Sequence, residues 1–126
     1  MKIIATYKEI SSYIKKNYNI NIELNYISDN KVTALGSIAG GLVSGNITVK
    51  VIEQRKSSID ISYSTTSIAI KLALLKLSIQ GIDNLGDNKL AIRFGQMNGL
   101  KEIFKTLQLN NFEFLEEGVK IELIER

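Results

Sequence analysis

The feature that most constrains this chain is a recurring alternation of apolar and polar side chains, because a period of two belongs to a half-buried strand and to no helix. Ile20, Ile22, Leu24 and Tyr26 alternate with Asn21, Glu23 and Asn25. The pattern returns at Ile47, Val49 and Val51, at Ile59, Ile61 and Tyr63, and at Leu90, Ile92 and Phe94. Phe112 and Phe114, then Val119, Ile121 and Leu123, flank Glu117-Gly118 and predict a hairpin. Ser28-Asp29-Asn30 is turn chemistry, so Lys31 to Leu35 returns as a further strand through Val32 and Ala34. The links are short, EQRKSS among them, which favours antiparallel pairing.

Helical spacing appears in three places. Ile3, Tyr7, Ile10, Ile14 and Tyr18 predict an amphipathic helix over 3–18. Asn98 is placed to cap a short helix carrying Leu100, Ile103, Phe104 and Leu107 on one face. Residues 65–80, TTSIAIKLALLKLSIQ, fit a strand through Ile68, Ile70, Leu72 and Leu74, or a helix capped by Thr65, Thr66 or Ser67. Length and the Ala-Leu-Leu-Lys run favour the helix. Its apolar residues then fill two opposite sectors of the wheel, so that Ile70, Leu74 and Leu77 form a second apolar face awaiting a cover. GIDNLGDN, residues 81–88, reads as a loop. The expectation is an α+β fold over residues 1–126 as a single domain. A curved, mainly antiparallel sheet packs around amphipathic helices in the order α-β-β-β-β-α-β-α-β-β. A helix followed by a curved sheet is loosely similar to tubular lipid-binding folds, as a pattern of elements and not through any motif.

LGSIAGGLVSGN, residues 35–46, has the look of a phosphate loop. Gly36, Gly40, Gly41 and Gly45 do not have the G-x-G-x-x-G spacing of a dinucleotide fingerprint, and Leu42-Val43 stands where a P-loop needs Lys-Ser. Aliphatic Ile38, Leu42 and Val43 replace the phosphate-holding groups. They either fold back on the core or form an apolar contact loop.

Composition removes several chemistries. The 126 residues include no cysteine and no histidine, so thiolate chemistry, imidazole bases and the commonest transition-metal ligand are all missing. Asp83, Asn84, Asp87 and Asn88 lack the spacing of a calcium loop, and Glu113 and Glu122 fall on the polar phase of their strands. No catalytic, metal or cofactor site is expected, and the chain reads as a non-enzyme. Residues 1–110 carry 14 basic and 8 acidic groups, against 2 and 5 in residues 111–126. Its lysines are scattered and its aromatics mostly lie on apolar phases, so nucleic acid is not an expected partner. No apolar run approaches a membrane span and no signal-peptide core is visible, which points to the cytoplasm.

Two functions fit what remains. One is a non-enzymatic binding module for a lipid-like or other hydrophobic ligand or surface. The other is a structural or interaction subunit that buries an apolar helix face against a partner chain or in a homodimer.

Overall fold

Antiparallel pairing sorts the strands into two sheets. The computed structural model describes residues 1–38 and 43–126, with the backbone alone for residues 38 and 43. Its elements are β1 (Lys2–Thr6), α1 (Tyr7–Tyr18), β2 (Asn21–Ser28), β3 (Lys31–Ile38), β4 (Val43–Gln54), β5 (Ser58–Ser64), α2 (Ile68–Leu75), β6 (Ile82–Gly86), β7 (Lys89–Arg93), α3 (Ile103–Thr106), β8 (Leu107–Phe114) and β9 (Gly118–Glu125). A 3-10 turn occupies Phe94–Gln96. Six strands form one sheet in the order β2-β3-β4-β5-β7-β6, and three form the other in the order β1-β9-β8. The fold is thus α+β and mostly strand, with both sheets antiparallel.

Register carries the two-residue period across the large sheet. Leu24 faces Ala34 and Ala34 faces Ile47, while Val32 faces Val49 and Val49 faces Tyr63. Farther along, Ile61 faces Leu90 and Ile59 faces Ile92. These residues share one face, since a side chain and its cross-strand partner point the same way. A bulge between Val51 and Glu53 interrupts the phase of β4 and leaves Ile52 exposed. The buried cluster of Ile59, Ile61, Tyr63, Ile70, Leu74, Leu90, Phe104, Leu109 and Leu123 draws on both sheets and two helices. Backbone bonds from Leu109 N to Lys56 O (2.6 Å) and from Phe114 N to Asp29 O (2.8 Å) tie β8 to the large sheet.

The helix expected over 3–18 is a strand followed by a helix. Lys2–Thr6 pairs along β9, and Thr6 then caps α1. Its hydroxyl accepts from Glu9 N at 3.1 Å while Glu9 Oε1 accepts from Thr6 N at 2.9 Å, a capping box that fixes where the helix begins. Residues 81–88 are likewise more than a loop: β6 forms there and turns into β7 through Asp87 and Asn88, both at positive φ, as a two-residue hairpin turn requires. The observed order therefore gains a strand before the first helix and another before β7. Residues 65–80 are helical over Ile68–Leu75, with Ser67 as N-cap. The helix expected after Asn98 shrinks to Ile103–Thr106, and Leu107 already belongs to β8. Among the described residues, no helix is long and apolar enough to cross a membrane.

Candidate functional site

The inner face of the large sheet does not meet a fully packed core. It lines a cleft of about 520 Å³, together with α1, α2 and the small sheet. The large sheet contributes Ile22, Leu24, Val32, Ala34, Ile47, Val49, Ile59, Ile61, Leu90 and Ile92. From the small sheet come Ala5, Phe112, Phe114, Val119 and Ile121. α1 lays Ile10, Tyr13 and Ile14 over it, and no residue of α1 is fully buried because its apolar side fronts this space. Protein interiors are ordinarily close-packed. Were a void of about 520 Å³ closed and empty, at about 24 cal/mol per Å³ it would cost on the order of 10 kcal/mol, as much as the whole stability of a typical domain. It is not closed: the cleft opens to solvent.

Small residues make the room. Gly36 and Gly45 face each other across β3 and β4 at the end of the sheet covered by α2. A Cβ on Gly45 would lie 3.1 Å from Ile70 Cγ1, and one on Gly36 would collide with the carbonyl oxygen of Asn21. These two glycines of the phosphate-like stretch therefore serve close packing of the sheet edge and helix. Leu42 and the side chains of Ile38 and Val43, the expected contact loop, lie outside the described residues.

Ile70, Leu74 and Leu77 all line the cleft. The structure brings these three together, with Ile70 and Leu74 buried. The other face of α2 holds Ile68, Leu72 and Leu75, exposed at 74%, 52% and 58%. Sequence reasoning did not mark the α1 residues or the inner strand phases as a site. Their signal was present in the run Val32, Ala34, Gly36 opposite Val49, Ile47, Gly45, where inner side chains dwindle toward one end.

Polar character in the lining comes from Glu9, Tyr13, Tyr18, Asn21 and Ser37, and no lysine or arginine is among the lining residues. Glu9 is committed to the capping box, and its bonds from Thr6 lower its pKa. Tyr13 donates to the carbonyl of Asn98 at 2.5 Å, pinning α1 to the segment after the 3-10 turn. Burial, and then the neighbouring Tyr18 phenol, push Tyr13 up from 10.0 to about 12. Among the described residues the buried Tyr18 Oη finds no partner at hydrogen-bonding geometry. Folding thus favours neutral Tyr13, a contribution complete below pH 10 and lost as pH rises toward 12. Burial raises the Tyr7 phenol as well, so phenolate absorbance should show a late-titrating component in the folded protein that shrinks in Tyr13→Phe, whose stability should fall less steeply over that interval.

A second concavity, of about 410 Å³, is lined by Arg93, Lys101, Lys105 and Arg126 with Ser57, Ser58 and Gln96. Three of these cations already have partners. Arg93 Nε meets Asp83 at 2.5 Å, Lys105 meets Glu102 at 2.8 Å, and Arg126 Nε donates to the carbonyls of Phe104 and Leu107. Phe104, on this side, stacks 5.7 Å from Phe94, on the apolar side. The C-terminal carboxylates are also occupied, since Lys120 bridges Glu113 and Glu122, and the bond to Glu113 is the main cause of its raised pKa. Among the described residues no group of three or more His, Cys, Asp or Glu is placed to hold a metal ion. No protein-family model, curated protein or solved structure matches the chain.

Proposed function

We propose that residues 1–126 form one non-enzymatic binding domain that holds a lipid-like molecule, the large sheet curving around it and α1 and α2 covering it. The observation that carries this reading is the apolar cleft of about 520 Å³ with no cation in its wall among the described residues. Its volume lies within the range of small-molecule sites, roughly 300–1,000 Å³. Burying an unpaired carboxylate or phosphate against such a wall costs several kcal/mol, so the enclosed part of the ligand is uncharged hydrocarbon and any ionised head stays at the mouth. Native mass spectrometry with organic extraction of the purified protein tests this. A bound molecule of lipid mass, or stoichiometric uptake of a polarity-sensitive fluorescent alkyl probe, is expected; ligand-free protein that ignores the probe sinks the reading.

A second reading, an interaction subunit, is favoured by the exposed Ile68, Leu72 and Leu75 on the outside of α2. A homodimer through that face predicts light scattering that doubles in apparent mass with concentration.

A further inference from the structure

We infer that the outer face of α2 docks on a lipid membrane bearing anionic headgroups, bringing the inner face of the same helix, and the cleft it lines, to the source of the ligand. This rests on the lipid-binding reading above. α2 is apolar on both sides: Ile70 and Leu74 are buried against the cleft, while Ile68, Leu72 and Leu75 stand in solvent. Spacings of four and three residues put those exposed side chains on one stripe. Lys71 and Lys76 are exposed on the same short segment, and no acidic residue occurs between Asp60 and Asp83. A stripe of aliphatic side chains edged by lysines is the chemistry of an interfacial helix: the aliphatics enter the boundary of the acyl region, and the lysines reach the phosphates.

Charge and size select this occupant over a protein. Stable protein interfaces bury about 800 Å² on each partner, some 20–30 residues a side, and lysine is depleted from their cores. The stripe is three residues wide with a lysine beside it. An anionic bilayer needs no shape complementarity, and each juxtamembrane lysine strengthens binding severalfold. Neighbouring acids do little to oppose it: Asp83, on β6 beside the helix end, is paired with Arg93, and Asp87 shares its turn region with Lys89.

Sedimentation with phosphatidylcholine vesicles, with and without phosphatidylserine, tests the inference on the whole chain. Binding to the phosphatidylserine vesicles is expected, weakening as salt rises. Ile68→Ser/Leu72→Ser/Leu75→Ser should lose at least tenfold. Lys71→Gln/Lys76→Gln should lose roughly tenfold and with it the preference for phosphatidylserine. The substituted side chains are exposed, so circular dichroism and uptake of the alkyl probe should be unchanged in both variants. Probe uptake without vesicle binding overturns the docking and leaves the ligand reading standing. Vesicle binding by a protein that takes no probe or lipid ends the ligand reading. Equal binding to neutral vesicles, or self-association abolished by the triple substitution, also overturns the inference.

Discussion

Ala34→Phe is expected to abolish uptake of a hydrophobic ligand while leaving the ligand-free fold intact. Ala34 is 4% exposed on the inner phase of β3, with Leu24 and Ile47 as its cross-strand neighbours. All three line the cleft, and a phenyl ring at this position projects into space now held open. On the proposed lipid-binding reading the ring competes directly with the ligand, so affinity should fall about a hundredfold or more, close to 3 kcal/mol. Filling apolar space also recovers contact, so thermal stability without ligand should hold or rise. The two effects are separable. Wild-type protein gains about 2.7 kcal/mol at a ligand concentration a hundred times Kd, whereas the variant should gain almost nothing. Unchanged probe affinity in Ala34→Phe places the ligand elsewhere.

Gly118→Ala should be strongly disruptive for so small a substitution. Gly118 pairs with Thr6 at the end of the β1–β9 ladder. A Cβ there would collide with the carbonyl oxygen of Ala5 and lie 2.8 Å from Thr6 Cα, and backbone cannot swing aside as a side-chain tip can. Overpacking of this kind costs roughly 1–3 kcal/mol, which for a domain of this size lowers Tm by several degrees. β1 lies at the sheet edge with β9 as its neighbour, so the loss should be local first. Hydrogen exchange should quicken in residues 2–6 before the large sheet is affected. A uniform rise in exchange, or an unchanged Tm, contradicts this account.

Much of the strand content was legible because period two is local. The phases of β2, β4, β5 and β7 follow directly from their residues, whereas the helix over Ile68–Leu75 competed with a strand reading and its cap stood open among Thr65, Thr66 and Ser67. The two missed strands had misleading neighbours. Ile3 stands four residues before Tyr7 and so extends the helical pattern of α1 by accident, although Thr6 and Glu9 already spell a capping box. β6 carries Asp83 and Asn84, poor strand formers that are tolerated at an edge where Arg93 answers the aspartate. α3 is short because Gly99, at φ +79°, breaks the helix that Asn98 was expected to start. Division into two sheets was not legible at all. Alternation fixes the face of a strand and says nothing of its partner, and β1 meets β9 more than a hundred residues away. The cleft was hidden for a related reason: sequence phase marks which side chains face inward, but the distance between opposing walls is set by long-range pairing.

That pairing also sets a timetable during synthesis. β2 to β5 pair with their neighbours in sequence and can align as soon as they leave the ribosome, and β7 with β6 follows. β1 emerges before the other strands and yet must wait, because its partner β9 follows more than a hundred residues later. For that interval the inner face of the large sheet lacks the part of its opposite wall that Val119 and Ile121 supply. A nascent chain stalled before residue 118 should therefore expose more apolar surface than the finished fold does, and be more prone to aggregate and more in need of a chaperone.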